Sequence, residues 1–344
     1  MLEKSTAALS ESYDLAMLDL DGVVYIGPDA VPGAAQHLQR ARTAGMHLAF
    51  VTNNASRTPR QVAAHLNGLG IEADPDDVVT SAQAAAHLLF EQFGLDARIY
   101  VLGGDGLEEA LRGAGLQPVT SLAEEPVAVV TGYAPEVPWK RIMVGGVLIR
   151  DGLPWVASNT DMTVPTDYGL GPGHGVQVQM LADFAGVEPR VAGKPQRPLL
   201  DETIRRVGGE RPLMVGDRLD TDIEGANNAG IDSLLVLTGV AGMAELVAAP
   251  RALRPTYISS DLGGLFTAHG APSQTSDGHT VGGWSGRVRE GRLEVAGSGS
   301  PDDWWRVVAA ASWEWLDESG DPADPSGVRE QVPAETPSQG TVAS

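Results

Sequence analysis

Two carboxylates stand two residues apart in the segment Asp19-Leu20-Asp21-Gly22, at the end of an apolar run. One of them could attack an electrophile while the other donates and accepts protons, which divides a slow displacement into two easier steps. The structural alternative is that Asp21 and Gly22 form a turn and that Asp19 accepts a hydrogen bond from a nearby amide. The segment alone does not decide between these interpretations.

Neutral hydrogen-bonding groups end the next apolar run, at Thr52, Asn53 and Asn54. A hydroxyl and backbone amides in this position suit the oxygens of a phosphate group. The structural alternative is an Asn-rich loop that caps a helix beginning near Thr58.

A single lysine, Lys194, stands between Gly193 and Pro195 just before a predicted helix. A fixed ammonium at a helix start can neutralise a bound phosphate and a nucleophilic carboxylate together. The segment is not a nucleotide P-loop, because Glu188 occupies the position of the first required glycine and Pro195 that of the Ser or Thr.

The fourth segment begins at Asp217 and is rich in carboxylates. Magnesium prefers a few carboxylates together with water and phosphate oxygens, so Asp217 and Asp19 would make a suitable site. An EF-hand starting at Asp220 does not fit, because its twelfth position is Ile231 where a bidentate Glu is required. Acidic residues favoured by a helix dipole would explain one of Asp220 and Asp222, but not the whole set.

Each of these segments follows a predicted strand or precedes a predicted helix. The predicted strands lie at 15–20, 47–52, 213–217, 233–239 and 256–260, and the predicted helices include 32–45 and about 220–229. Strands that alternate with helices at both ends of the chain favour an α/β fold with a Rossmann-like parallel sheet. This core domain is expected to combine two segments, residues 13–83 and 173–268.

An inserted α/β cap domain is predicted between the two core segments, over residues 84–172. Its predicted strands are 98–103, 127–132 and 155–158, with a helix over 136–149. An insertion at the carboxyl end of a parallel strand lies over the crevice where such sheets bind ligands. The cap is therefore expected to act as a lid.

A small α+β extension is predicted at the C-terminal end, over residues 281–317, with a hairpin at Glu290-Gly291 and a helix whose candidate N-cap is Asp302. By composition, residues 269–280 are expected to be a linker and residues 318–344 a disordered acidic tail. Five of the seven tryptophans fall in the extension. Side chains of this size need burial, so the extension is expected to dock on itself, on the main body or on another subunit.

Composition excludes several classes of protein. The 344 residues include 24 Lys plus Arg and 45 Asp plus Glu, a net charge of −21, which disfavours nucleic-acid and membrane-surface partners. The absence of cysteine excludes disulfides, thiolate metal sites and cysteine nucleophiles. No stretch approaches the roughly 18–20 apolar residues of a membrane span, and no secretory signal is recognised, so a cytoplasmic location is expected.

The four segments in this order, DxDG, a strand-end Thr-Asn, Lys and GDxxxTD, resemble the haloacid dehalogenase superfamily of phosphatases over about residues 13–268. The position of the cap, the string VTNNASRTP, the segment Asn159-Thr160-Asp161 and the following GPGHG resemble subclass IIA. This subclass is the p-nitrophenyl phosphatase and phosphoglycolate phosphatase branch.

The resemblance implies a role for each motif residue. Asp19 would be the nucleophile that forms an aspartyl phosphate, and Asp21 the general acid that then activates water. Thr52, with the amide after it, would hold the phosphoryl group, and Lys194 would pair with that group and with Asp19. The Asp19 carboxylate, the Asp21 main-chain carbonyl and Asp217 would bind Mg²⁺. Asp222 would support this site without binding the metal directly.

Substrate choice is expected to depend on the cap, since the four motifs contact only phosphate and metal. The residues predicted to bind substrate are Thr52, Asn53, Asn54, Lys194, Asn159 and His174, and further polar cap residues beside the crevice are Tyr133, Asp161, Asp167 and Tyr168. Each cap residue could instead be an ordinary surface or core-edge position. The other six histidines are expected at helix or strand surfaces, so a histidine metal site is not favoured.

The extension resembles that of the actinobacterial D,L-glycerol-3-phosphate phosphatases, which is similar to part of an acetyltransferase fold. Acetyl transfer is not expected, because no Gly-rich pyrophosphate loop leads into a helix. The resemblance implies a magnesium-dependent phosphomonoesterase acting on glycerol 3-phosphate in glycerophospholipid recycling, with a homodimer through the cap as in relatives. The alternatives are a phosphoglycolate or sugar-phosphate phosphatase, or a binding or regulatory protein on this fold.

Overall fold

The computed structural model describes residues 2–166 and 168–329. Its strands are β1 (Leu15–Leu18), β2 (Tyr25–Ile26), β3 (Asp29–Ala30), β4 (His47–Thr52), β5 (Val78–Thr80), β6 (Arg98–Leu102), β7 (Gln117–Val119), β8 (Ala128–Thr131), β9 (Trp155–Ala157), β10 (Thr163–Thr166), β11 (Gly169–Pro172), β12 (Arg190–Val191), β13 (Pro212–Gly216), β14 (Asp232–Val236), β15 (Tyr257–Ser259), β16 (Ser273–Thr275), β17 (Gly278–Val281), β18 (Trp284–Arg289) and β19 (Arg292–Gly297).

The helices connect these strands and cover the sheets. They are α1 (Leu9–Ser12), α2 (Ala34–Thr43), α3 (Pro59–Gly68), α4 (Ser81–Phe93), α5 (Asp105–Gly113), α6 (Trp139–Arg150), α7 (His174–Ala185), α8 (Pro198–Val207), α9 (Glu224–Ala229), α10 (Met243–Val247) and α11 (Pro301–Ser319), with a π-helical turn at Leu219–Ile223 before α9. In the described part of the chain, none of them has the length and apolar character needed to cross a membrane.

The core is a six-stranded parallel sheet in the order β15-β14-β13-β1-β4-β5. Every residue of β1 is buried, as expected for a central strand that helices cover on both faces. β1 pairs with β4 on one side and with β13 on the other, although β13 follows β1 by almost 200 residues. This confirms the predicted parallel sheet built from two separated segments.

The cap has its own five-stranded parallel sheet, in the order β12-β9-β8-β6-β7. β12 belongs to this sheet, and Val178 and Leu181 of α7 lie in the same buried cluster as Tyr100 and Trp155. The cap therefore continues to Val191, beyond the predicted boundary at residue 172. The sequence showed where the motifs lie, but not which sheet the apolar face of α7 covers.

The extension is a four-stranded antiparallel sheet, β16-β17-β18-β19, with α11 packed on it. The predicted hairpin is present: Glu290 and Gly291 both have positive φ, which matches the twist of a two-residue turn. The linker predicted over 269–280 is wrong, because β16 and most of β17 lie there and pair with each other. The three residues of β16 are all polar and exposed, so their pattern did not indicate a strand.

Two further expectations about this end of the chain need correction. Ser300, not Asp302, caps α11, because its Oγ accepts the backbone N–H groups of Asp302 and Asp303. The predicted tail also begins too early: Ala323 is buried, and the backbone N–H of Leu293 donates to the carbonyl oxygen of Asp324 at 2.9 Å. Residues 330–344 of that predicted tail lie outside the described residues.

The extension docks on the main body. Trp304, Trp305 and Trp313 are buried in one cluster with apolar residues of the core, so the Trp-rich face is not a free contact surface. His269, expected at a surface, is also buried there, between the Gly264 carbonyl and the guanidinium of Arg306. Its partner comes from α11, which local sequence could not indicate.

Candidate active site

The carboxyl ends of three adjacent parallel strands meet at the site. Asp19 directly follows β1, Thr52 ends β4, and Asp217 directly follows β13. Because β1 lies between β4 and β13, chain connections leave in opposite directions on its two sides and a crevice forms at its end. The structure thus brings three of the four motifs to one edge of the sheet, as predicted.

Lys194 completes the set by lying between two carboxylates. Its Nζ is 2.6 Å from Asp19 Oδ1 and 2.7 Å from Asp222 Oδ1, and its side chain is 1% exposed. Burial disfavours the ammonium, but the two carboxylates outweigh it and raise the pKa of Lys194 above its ordinary value. Lys194 is therefore a fixed positive charge at Asp19.

The protein alone provides too little positive charge for its acidic groups. Burial raises the pKa of Asp19 to about 8, because desolvation outweighs the attraction of Lys194. Burial, reinforced by the charge of Asp222, raises the pKa of Asp217 to about 7. Both carboxyl groups would ionise more readily beside a further cation.

The residues present fit a hard divalent cation. Carboxylate oxygens of Asp19, Asp217 and Asp222 lie within 4.8 Å of one another. Asp217 is fully buried. Its Oδ2 accepts the N–H of Val240 at 2.7 Å, whereas its Oδ1 has no hydrogen-bond partner among the described residues. A buried carboxylate oxygen without a partner is costly, and an all-oxygen donor set is the kind that Mg²⁺ prefers.

Glycine backbone encloses Asp217. Gly22 has φ +87°, and a Cβ on either Gly22 or Gly239 would collide with the Asp217 carboxylate. Only glycine combines the left-handed backbone at position 22 with so close an approach. Position 22 of the DxDG motif must therefore be glycine, because the Asp217 carboxylate of another motif lies against it.

Asp222 fits a supporting role better than direct metal binding. Its Oδ1 contacts Lys194, and its Oδ2 accepts the backbone N–H of Arg218 at 3.1 Å. Both Asp222 oxygens are therefore engaged. The metal is left with Asp217 Oδ1 and with the Asp19 carboxylate, which contacts Lys194 through Oδ1. The predicted contribution of the Asp21 main-chain carbonyl stays a prediction.

Asp21 lines the cleft and is in contact with solvent. Neighbouring atoms nevertheless desolvate its carboxyl group in part, which raises its pKa. A carboxyl group that keeps its proton to higher pH suits a general acid. The Thr52 hydroxyl, nearly buried beside it in the cleft, accepts the backbone N–H of Asn54 at 3.1 Å. The Asn54 side chain bonds to Ser56 and folds the loop after β4 into a compact turn.

Asn53 links the cap to the catalytic lysine. Its Oδ1 accepts the backbone N–H of Lys194 at 2.8 Å, and its Nδ2 donates to the carbonyl oxygen of Lys194 at 3.0 Å and to Asp161 Oδ1 at 3.1 Å. The Asn53 carbonyl accepts from Asn159 Nδ2 at 2.7 Å and from Ser81 Oγ at 2.5 Å. Asn53 and Asn159 were predicted to bind substrate. These polar groups instead bond to other parts of the protein and hold the site together.

A cleft of ≈ 940 Å³ opens above these groups, between the core and the cap. The hairpin β10–β11 contributes an apolar wall that includes Val164 and Leu170. These two residues were not predicted from the sequence. Tyr133, Asp161 and His174 also line the cleft, whereas Tyr168 is fully exposed and does not line it. Asp167 lies outside the described residues.

His174 is buried at the start of α7, and neither ring nitrogen has a hydrogen-bond partner of normal geometry within residues 2–166 and 168–329. Burial lowers its pKa to about 4, against an opposing effect of the Asn159 main chain, so the imidazole is neutral near pH 7. A neutral imidazole that lines a cleft can donate to or accept from a hydroxyl group.

The loop after β14 also contributes to the site, although it was not predicted from the sequence. Thr238 Oγ1 donates to the Gly22 carbonyl at 2.6 Å, and the N–H of Val240 holds Asp217. The signal was present, since Thr238 and Gly239 follow a strand of the same parallel sheet at its carboxyl end.

Comparison with known proteins agrees with this geometry. A family model for haloacid dehalogenase-like hydrolases matches residues 16–117, and a second one, HAD-hydrolase-like, matches residues 191–265. A curated relative, the D-glycerol 3-phosphate phosphatase of Mycobacterium tuberculosis, is 42% identical over 316 residues, which is 89% of this chain and 88% of the relative. The acid sugar phosphatase of Staphylococcus aureus is 35% identical over 73% of this chain and 96% of its own length.

A solved structure extends the agreement to three dimensions. The glycerol phosphate phosphatase of M. tuberculosis in complex with magnesium superposes with a TM-score of 0.82 at 42% identity, covering 90% of this chain and 93% of that one. The family matches lie on the segments that carry Asp19, Thr52, Lys194 and Asp217. From its motifs, its fold and these relatives, the chain belongs to the haloacid dehalogenase-like hydrolases and is a phosphatase of that family.

Proposed function

We propose that this chain is a magnesium-dependent phosphomonoesterase that hydrolyses glycerol 3-phosphate to glycerol and phosphate through an aspartyl phosphate. The observation that carries the proposal is the contact between Asp19 and the buried ammonium of Lys194, beside the unsatisfied oxygen of Asp217. A nucleophile, a fixed positive charge and a metal ligand thus share one strand edge. The substrate is proposed from the D-glycerol 3-phosphate phosphatase of M. tuberculosis.

In the first half of the reaction, an Asp19 oxygen attacks phosphorus and the bond from phosphorus to the ester oxygen breaks. Asp21 gives its proton to the leaving glycerol oxygen, and Lys194 offsets the negative charge on the phosphoryl oxygens. Thr52 and the backbone amide after it, that of Asn53, hold the same oxygens. Magnesium bound by Asp19 and Asp217 would favour the ionised carboxylates and neutralise charge on the phosphoryl group.

In the second half, Asp21 is a carboxylate and acts as a base. It takes a proton from a water molecule whose oxygen attacks the phosphorus of the aspartyl phosphate. The bond from phosphorus to Asp19 breaks, which releases phosphate and restores the Asp19 carboxylate. Asp21 then carries the proton needed for the next cycle.

Recognition of the glycerol part is assigned to the cap. The neutral ring of His174 has a free hydrogen-bonding capacity at the cleft, where it can bind a glycerol hydroxyl. Asn53 and Asn159 act through the loops that they hold in place. Replacement of His174 by Phe, which retains an aromatic ring, is expected to raise KM for glycerol 3-phosphate more than it lowers kcat.

Mass spectrometry of the covalent intermediate tests the chemistry. In Asp21→Asn the leaving oxygen is poorly protonated and water is not activated, so with a substrate whose leaving group needs no proton, p-nitrophenyl phosphate, the aspartyl phosphate should accumulate. The peptide that contains Asp19 should then gain the mass of one phosphoryl group. Phosphorylation of another residue, or full turnover by Asp19→Asn, would contradict the proposed nucleophile.

A sugar phosphate is the second candidate substrate. The cleft of ≈ 940 Å³ lies at the upper end of the range of about 300–1,000 Å³ for small-molecule sites, which leaves room for a substrate larger than glycerol 3-phosphate. A relative at 35% identity is an acid sugar phosphatase. Comparison of kcat/KM for glycerol 3-phosphate and several sugar phosphates separates the two candidates.

The proposal includes a homodimer formed through the outer face of the cap. Trp139, Met143 and Val147 recur every four residues on one face of α6 and are each exposed by more than a third. Analytical ultracentrifugation should give a dimer that Trp139→Glu dissociates, whereas Lys140→Glu on a neighbouring exposed position should leave it intact. A wild-type monomer at micromolar concentration would contradict this part.

A cytoplasmic location is proposed because free phosphate esters and magnesium are both abundant there. No nucleic-acid partner is proposed, since a net charge of −21 opposes binding to a phosphate backbone. Cell fractionation tests the location, and a retardation assay with duplex DNA tests the partner.

A further inference from the structure

The C-terminal extension packs against the half of the core that carries the acidic motif. The buried cluster that contains its tryptophans also includes Leu219 and Ile223, on either side of Asp222, and Ala241 and Leu246, which follow Val240. Asp222 contacts Lys194, and Val240 donates to Asp217. The extension thus packs against the two segments whose residues contact Lys194 and Asp217.

A hydrogen bond connects the extension to α10, the helix that follows the loop around Asp217. The indole N–H of Trp313 donates to the carbonyl oxygen of Leu246 in α10 at 2.8 Å, and the bond is buried. The loop 238–242 immediately precedes α10 and makes two hydrogen bonds to Asp217. Val240 N–H donates to Asp217 Oδ2 at 2.7 Å, and Ala241 N–H donates to the main-chain carbonyl oxygen of Asp217 at 2.9 Å.

The loop has little freedom to absorb a shift of α10. At its other end, Thr238 Oγ1 is tied to the Gly22 carbonyl, and Gly239 lies so close to Asp217 that no Cβ fits. A small displacement of α10 therefore changes the position of the Val240 N–H relative to the Asp217 carboxylate. Close-packed interiors transmit such shifts because neighbouring atoms have no free space.

Polar contacts fix α11 on the core. Asp302 accepts from Ser259 Oγ and from the backbone N–H of Ser260, and the buried guanidinium of Arg306 donates to the Ile258 carbonyl. At the far end, Arg254 pairs with Asp317 at 2.8 Å and its guanidinium lies 5.1 Å from the Trp313 ring. These contacts hold Trp313 in register with α10.

We propose that the extension positions the magnesium site, and that Trp313 is the positioning residue that carries this effect through α10 to Asp217. The inference rests on the proposed function, because it assigns magnesium to Asp217.

The test compares two tryptophans of the extension. Trp313→Phe removes the N–H that reaches Leu246. The matched control, Trp284→Phe, removes an N–H that donates to Ser300, within the extension itself. Substitutions in the contacts between two sites change their coupling by about two- to thirtyfold, so Trp313→Phe is expected to raise the Kd for Mg²⁺ by about fivefold. Trp284→Phe is expected to change it by less than about twofold.

Calorimetric titration of Mg²⁺ into the full chain without substrate gives the Kd, and the Mg²⁺ concentration for half-maximal phosphate release gives a second value. The proposal predicts that both rise in Trp313→Phe, while kcat at saturating Mg²⁺ stays within about twofold. An unchanged Kd in a folded Trp313→Phe protein would overturn it, even if the melting temperature falls.

A second variant covers the case in which Trp313→Phe does not fold. Asp317→Asn weakens the pair with Arg254 that supports Trp313 and is expected to raise the Kd for Mg²⁺ by about twofold to threefold. An unchanged Kd in this variant would also count against the proposal. The titration needs no turnover, so a wild-type protein that binds Mg²⁺ but releases no phosphate would refute the proposed function and leave the positioning role standing.

Discussion

Replacement of Asn53 by Ala should damage both stability and catalysis, because this side chain joins the cap to the catalytic lysine. Three hydrogen bonds are lost: two to the main chain of Lys194 and one to the Asp161 carboxylate. The backbone N–H and C=O of Lys194 are left buried without these partners, and each such group costs about 1–3 kcal/mol. The sum is about 2–6 kcal/mol, and water that enters the vacated space brings the expected loss to about 2–4 kcal/mol.

The effect on catalysis follows from the position of Lys194. Its ammonium lies 2.6 Å from Asp19 Oδ1, a contact that a shift of the supporting main chain lengthens. A misplacement of about 1 Å can lower a rate by about 100-fold. We therefore expect kcat to fall by about 10- to 100-fold, by the same factor for different phosphate esters, since the Asn53 side chain is bonded to Lys194 and Asp161.

Urea denaturation and steady-state kinetics measure the two effects. Asn54→Ala is the matched control, because Asn54 is the next residue, is exposed, and bonds through its side chain to Ser56 alone among the described residues. It should lower the free energy of unfolding by less than about 1 kcal/mol. The reasoning is refuted if Asn53→Ala is as stable as Asn54→Ala and changes only KM, because Asn53 would then be a substrate ligand.

Three further perturbations have defined outcomes. Asp21→Asn should lower kcat for glycerol 3-phosphate by about 10²- to 10⁴-fold, measured as phosphate release, with a smaller loss for an ester whose leaving group needs no proton. In the metal-free protein the raised pKa values of Asp19, about 8, and Asp217, about 7, mean that the folded state binds more protons than the unfolded state, so stability should fall as pH rises from about 4 to 8. Magnesium should offset this, so its effect on Tm should be larger at pH 8 than at pH 5, and an equal effect at both would contradict the assignment. Gly22→Ala should weaken Mg²⁺ binding by at least about tenfold, because its Cβ would displace Asp217; calorimetry without substrate measures this, and an unchanged Kd would exclude a metal role for Asp217.

The core of the site could be predicted from the sequence because its signals are local. Asp19, Thr52 and Asp217 each end or follow a short apolar run, and parallel strands bring their carboxyl ends to one edge. The pairing of Lys194 with Asp19 and the supporting role of Asp222 were implied by the resemblance of the motifs to the haloacid dehalogenase superfamily. The placement of Asp19, Thr52 and Asp217 needs only the type of each element and the parallel arrangement of the strands.

The contacts that hold the site together could not be predicted, because their partners are distant in sequence. Asn53 bonds to residues 106 and 141 positions away, so its neighbours suggested a phosphate ligand where the fold makes a structural link. The buried guanidinium of Arg306 meets His269 only after α11 docks. The exposed strand β16 lacks the apolar alternation that marks a strand with one buried face.

The proposed function is tested by phosphate release, with magnesium or with chelator, from both enantiomers of glycerol 3-phosphate, 2-phosphoglycolate, several sugar phosphates and nucleoside monophosphates. We expect the highest kcat/KM for glycerol 3-phosphate, and loss of activity both with chelator and in Asp19→Asn. A preference for another ester would refute the substrate and leave the chemistry unchanged. Phosphate release that is unaffected by chelator and by Asp19→Asn would contradict both the metal dependence and the assigned nucleophile.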